Sequence, residues 1–150
     1  MNCQKHYRNQ KGFSVIELIV VVAVFLIFMA ISEWGILNFK FQGDLNTATN
    51  DIVQALRHAK ANAQQVQGDS KWGVEISAGQ ITVFEGTSYA GRNSAFDQII
   101  NLPNGVSASG LSEVVFEKIS GITSNTGTIT LTNSSGTKDI TINAKGTVSY

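Results

Sequence analysis

One apolar segment close to the start constrains this chain more than any other feature. Between Phe13 and Ile31 only Ser14 and Glu17 are polar, and residues 18–31 form an unbroken apolar run. At about 1.5 Å per residue, a helix over that segment reaches about 28 Å, close to the roughly 30 Å hydrocarbon core of a bilayer. A transmembrane stem helix is therefore expected over residues 13–34. Lys5, Arg8 and Lys11 precede it, and no acidic residue lies among positions 1–12. The positive-inside rule then expects a single pass with the N-terminus in the cytoplasm and everything beyond the segment outside.

Composition narrows the chemistry. The chain has 150 residues, about one ordinary domain, with 43% hydrophobic and 15% charged side chains and eleven basic against eleven acidic groups. Too apolar and too sparsely charged for a disordered chain, it also has no global pull on nucleic acid. A lone cysteine, Cys3, excludes an intramolecular disulfide and a cysteine-based zinc site. Because Cys3 lies before the apolar run, acylation as a lipoprotein is not expected. With only His6 and His58, far apart, neither a metal site nor a catalytic triad finds its partners. His58 falls among polar residues of a helix, and no Gly-x-Ser-x-Gly elbow or paired-carboxylate motif is present. No catalytic residue, metal or cofactor is expected, and the chain reads as a non-enzyme.

Glu17 discriminates among the identities open to such a segment. These are a conventional secretory signal, a permanent signal anchor, and a leader with a stem. A carboxylate within an apolar span costs on the order of a few kcal/mol if ionised deep in hydrocarbon, and such residues are usually functional. An export signal needs no acid there, although one near the end can reach the headgroups or be protonated. Ala30-Ile31-Ser32 offers the small residues that signal peptidase reads, which keeps conventional cleavage, with a chain beginning at Glu33, as an alternative.

The stretch Lys11-Gly12-Phe13-Ser14-Val15-Ile16-Glu17-Leu18, followed by the apolar run, resembles the leader junction of type IV pilins and type II secretion pseudopilins. That resemblance implies a basic prepilin leader over residues 1–12, cut by a membrane-embedded prepilin peptidase between Gly12 and Phe13. It also implies methylation of the new N-terminus at Phe13. A residue without a side chain at Gly12 suits cleavage at the membrane surface, and such a cut leaves the apolar stem in place. Glu17 is implied as the assembly residue, pairing with the amino terminus of a neighbouring subunit; a buried charge is tolerable when an opposite charge meets it. Cleavage would remove three of eleven basic groups and no acidic one, leaving a net charge of −3.

Beyond Trp34 and Gly35, apolar residues recur in steps of three and four at Phe41, Leu45, Ala48, Ile52, Leu56, Ala59, Ala63 and Val66. This spacing marks one face of an amphipathic helix, expected over residues 35–67 and packing on its own head. With the stem it makes one helix from about 13 to 67, broken at most near Gly35. Many pilins carry a proline where this chain has Trp34, and the only proline here is Pro103. From Lys71 onward the period becomes two. Trp72, Val74 and Ile76 pair across Ala78-Gly79 with Ile81 and Val83 in an expected hairpin. A polar loop over 86–96, a strand over 97–102 and another over 113–119 follow. A second hairpin joins 128–132 to 139–142, and residues 147–150 offer a last strand. The alternation of Thr with Ile and Leu argues for strands with polar outer faces. The expected fold is α+β and pilin-like, with a long N-terminal helix on an antiparallel β head, residues 71–150, of six or seven short strands.

Arg57-His58-Ala59-Lys60, Lys71-Trp72-Gly73-Val74 and Ile142-Asn143-Ala144-Lys145-Gly146-Thr147-Val148 resemble the GspH/FimT-like minor pseudopilins. The implied function is a structural subunit that initiates or caps a type IV pilus or a type II secretion pseudopilus. Its implied partners are prepilin peptidase, other pilin or pseudopilin subunits, an inner-membrane assembly platform and, before assembly, membrane lipid. Its location is the inner (cytoplasmic) membrane and then the filament. DNA is a weaker partner. The C-terminal region offers Lys138 and Lys145 against Asp139, with no arginine after Gly146, too few charges to neutralise many phosphates.

Overall fold

The computed structural model describes residues 12–150, with the side chains of residues 31–38 outside that description. The expected leader, apart from Gly12, therefore lies outside the described residues. Residues up to Leu37 form one unit and Asn38–Tyr150 another.

A single α-helix, α1, spans Val15–Gln64. The Ser14 carbonyl accepts from the Glu17 and Leu18 amides at 3.0 and 3.2 Å, which opens the first turn two residues later than expected. The backbone stays helical through Gly35, so no break occurs there. Helices break at proline, at a π-bulge or where a side chain intrudes, and one glycine among strong helix formers is tolerated.

In the second unit, α1 buries Leu45, Ala48, Ile52, Leu56, Ala59 and Ala63, with Val53 and Ala55 widening the stripe. Phe41 and Val66, at the ends of the expected stripe, are only half-buried. The helix stops at Gln64 rather than at 67. Val66 takes a left-handed conformation (φ 57°), and a three-residue 3-10 turn, Gln67–Asp69, follows. The Ala63 carbonyl that a longer helix would use accepts instead from the amides of Val66 (3.2 Å) and Ile119 (3.0 Å).

Eight antiparallel strands follow: β1 Trp72–Ser77, β2 Gln80–Glu85, β3 Asn93–Asn101, β4 Ser107–Gly110, β5 Glu113–Phe116, β6 Gly127–Asn133, β7 Gly136–Ile142 and β8 Val148–Ser149. They form two four-stranded sheets, ordered β3-β2-β1-β5 and β4-β6-β7-β8. Trp72, Val74, Ile76, Ile81, Val83, Val114 and Phe116 of the first sheet share one core with the α1 stripe. Ile129, Leu131, Ile140 and Ile142 bring the second sheet into the same core.

The two hairpins form as the alternation predicts, with Ile76 opposite Ile81 and Ile129 opposite Ile140. The strand total is eight rather than six or seven. β4 has no apolar alternation to announce it and pairs with β6, Ala108 opposite Leu131, with the Ser107 and Ser109 hydroxyls adding bonds to the Thr132 and Thr130 carbonyls. β3 begins four residues before the expected Asp97, because Asn93 pairs with Glu85 across a register irregularity. β5 ends at Phe116, not at Ile119, since the Glu117 carbonyl turns to accept from the Gly121 amide at 2.9 Å.

Side chains fasten the helix to the rest of its unit. Lys60 Nζ donates to the carbonyls of Lys145 (2.9 Å) and Gly146 (3.0 Å), and Asn133 Nδ2 donates to the Phe41 carbonyl at 2.6 Å. Gly146 has φ +66°, and a Cβ there would strike the Gly121 carbonyl, so this turn requires glycine.

Candidate processing and assembly site

Gly12 and Phe13 precede the helix in an exposed, non-helical segment. Among the described residues, and apart from its chain neighbours, no atom lies within 4 Å of where a Gly12 Cβ would stand, and Phe13 is 85% exposed. This peptide bond is therefore open to a protease. Glu17 sits in the first turn of α1, also exposed. Amide groups there lack intrahelical acceptors and the helix dipole favours a negative charge. Ser14 and Glu17 have the spacing of a capping box, Ser-x-x-Glu.

Every large apolar side chain from Phe13 to Met29 is at least 45% exposed. Since these residues occupy all sides of the helix, the surface is not an amphipathic face awaiting one partner. Among the described residues no helix is long and apolar enough to cross a membrane. The expected span, 13–34, runs into residues 31–34, whose side chains lie outside the description.

Residues 7–32 match the prokaryotic N-terminal methylation motif. The N-terminus is type IV pilin-like. Gly12, Phe13 and Glu17 all fall inside the matched stretch, and a motif of this type indicates a structural-subunit family. No curated protein and no solved structure matches the chain.

The other residues singled out from the sequence are dispersed. His58 is exposed on α1 and borders an open groove of about 300 Å³ with Gln54, Ala55, Val83, Gln98 and Ile100. Among the described residues no group of three or more His, Cys, Asp or Glu side chains is placed to hold a metal ion. Lys138 is exposed on β7 and Lys145 is exposed in the turn before β8. The Arg57 guanidinium lies 5.8 Å from the centre of the Tyr150 ring.

One cluster escaped the sequence reading. On the face of the first sheet opposite the core, Glu75 stands directly across from Glu113 on one side and from Thr82 on the other. The segment 86–92 crosses this face. The Tyr89 amide donates to Glu113 Oε1 at 3.1 Å, and the Tyr89 ring meets Phe84 edge-on at 5.7 Å. Arg92 stacks on Tyr89 at 3.8 Å, donates to the Tyr89 carbonyl at 2.8 Å, and grips both oxygens of Asp97 at 3.0 and 2.8 Å. Burial above all, then the facing Glu113, pushes the Glu75 carboxyl above the ordinary carboxylate value, and Arg92 draws it part of the way back. Only residue pairing across strands reveals this set, because its members are spread from position 75 to 113.

Proposed function

We propose that this chain is a minor pilin or pseudopilin of the GspH/FimT-like kind, a structural subunit that initiates or caps a type IV pilus or a type II secretion pseudopilus. The observation that carries the reading is the methylation-motif match over residues 7–32, with Gly12, Phe13 and Glu17 at the positions the chemistry needs. Prepilin peptidase removes residues 1–12 and methylates Phe13. Residues 13–34 then hold the subunit in the inner membrane, with the N-terminus cytoplasmic, while residues 35–67 support the β head, 71–150, outside. The apolar surface left open all round the helix supports this, because hydrocarbon first and neighbouring subunits later would cover it. Glu17 pairs with the amino terminus of a neighbour, which favours transfer from lipid to the filament.

The test is the mass of the N-terminal peptide of membrane-extracted protein. Methylated Phe13 is the expected first residue, and a chain beginning at Glu33 would overturn the proposal in favour of a conventional signal peptide. In the same preparation Glu17→Ala should give the same N-terminal peptide yet be missing from sheared filaments. Normal incorporation would remove the pairing role.

A further inference from the structure

Two carboxylates directly opposite each other on adjacent strands repel, and the half-buried pair Glu75 and Glu113 lies beside segment 86–92, whose Tyr89 amide donates to Glu113. Thr82, 1% exposed, stands on the other side of Glu75, and its hydroxyl has no hydrogen-bond partner among the described residues. A buried polar atom without a partner is costly. A neutral Glu75 relieves the first problem by removing one of the two facing charges, and in either protonation state its carboxyl is the group across from Thr82. We propose that segment 86–92 is a pH-operated strap over the outer face of the first sheet, held shut when Glu75 carries a proton and loosened when Glu75 and Glu113 are both ionised.

The coupling runs through groups already in contact. Tyr89 is fastened to Glu113, and Arg92, on the same segment, is the cation facing Glu75. Asp97 of β3 holds Arg92 in place, and Thr82 of β2 flanks Glu75. With Glu113, Tyr89, Arg92, Asp97 and Thr82, every element over this face contributes. Opening the strap returns water to Glu75 and restores its ordinary affinity for the proton. The closed state therefore binds that proton more tightly than the open state, and linkage fixes the sign. Closure is fully favoured below the ordinary carboxylate value of 4.5 and declines as pH rises through the higher value of the closed state. Opening bares Phe84, against which the Tyr89 ring of the strap packs. This device does not depend on N-terminal processing.

The test is amide exchange of Tyr89, corrected for its intrinsic rate, in the full chain in detergent micelles from about pH 4.5 to about pH 7.5. Protection should fall with rising pH by up to about tenfold per unit, the limit for one proton. Glu75→Gln, uncharged throughout the range, should be protected at every pH and show no slope. Glu113→Gln removes the facing charge while keeping an acceptor for Tyr89, and should flatten the slope. Wild-type protection independent of pH, or an undiminished slope in either variant, would overturn the proposal.

Discussion

Residues 15–30 and residues 41–63 lie on one helix and draw on the same aliphatic side chains, yet their surroundings are opposite. In the first stretch the large apolar residues are exposed on every side; in the second, Ile52, Leu56, Ala59 and Ala63 are fully buried on one. The difference is one of pattern. A stripe at three- and four-residue spacing can be covered by one surface of the same chain, whereas an apolar run without a polar face needs an environment that surrounds it. What separates an internal partner from an external one is thus the arrangement of apolar residues rather than their number.

The sharpest way to break this comparison is to remove the same side chain from each stretch. Leu56→Ala opens a cavity in the shared core and should cost about 2–5 kcal/mol of head stability. Leu26→Ala, at a position 61% exposed, should leave it unchanged within about 0.5 kcal/mol. Chemical denaturation of the full chain in micelles, followed through the NMR signals of the β strands, measures both. Equal losses would mean that residues 15–30 are covered by the head after all.

How much was legible follows the same division. The helix, both hairpins and the core stripe are repeating patterns of side chains, so periodicity finds them. Gly12, Phe13 and Glu17 fall within one short stretch of sequence, inside the residues that match the methylation motif. β4 was not legible because Ser107, Ala108, Ser109 and Gly110 carry no alternation, and their pairing comes from backbone and from the neighbouring β6. The end of α1 was hidden for another reason. Ile119, from a distant loop, takes the carbonyl that would have continued the helix, and no local signal encodes a contact between positions 63 and 119. The strap belongs to that same non-local class.

A second test bears on how completely the head closes its own apolar surface. The tip of the Phe84 ring lies over Gly73, so an alanine Cβ there would overlap it and press on the Val114 carbonyl at 2.9 Å. Gly73→Ala should cost about 1–3 kcal/mol through overpacking, in the same denaturation experiment. Phe84→Ala removes the obstructing ring, so adding it to Gly73→Ala should cost less than the two separate losses combined. Strict additivity would show that Phe84 leaves this position readily and that the outer face is loosely closed.

The smallest effect concerns an exposed apolar residue in the head that is not part of any extended apolar surface. Ile119 is 69% exposed and adopts φ 69°, a left-handed conformation that costs an L-residue about 1–2 kcal/mol. Glycine has no such penalty, though it carries about 0.5–1 kcal/mol more chain entropy to lose on folding. With little burial to forfeit, Ile119→Gly should stabilise the head by somewhat under about 1 kcal/mol. The opposite sign would mean that Ile119 packs more than its exposure indicates. Val66 supplies the internal control: it shares the left-handed conformation (φ 57°) but is half-buried. Relief of strain there is offset by lost packing, so Val66→Gly should gain less than Ile119→Gly, and the order of the two variants separates strain from burial.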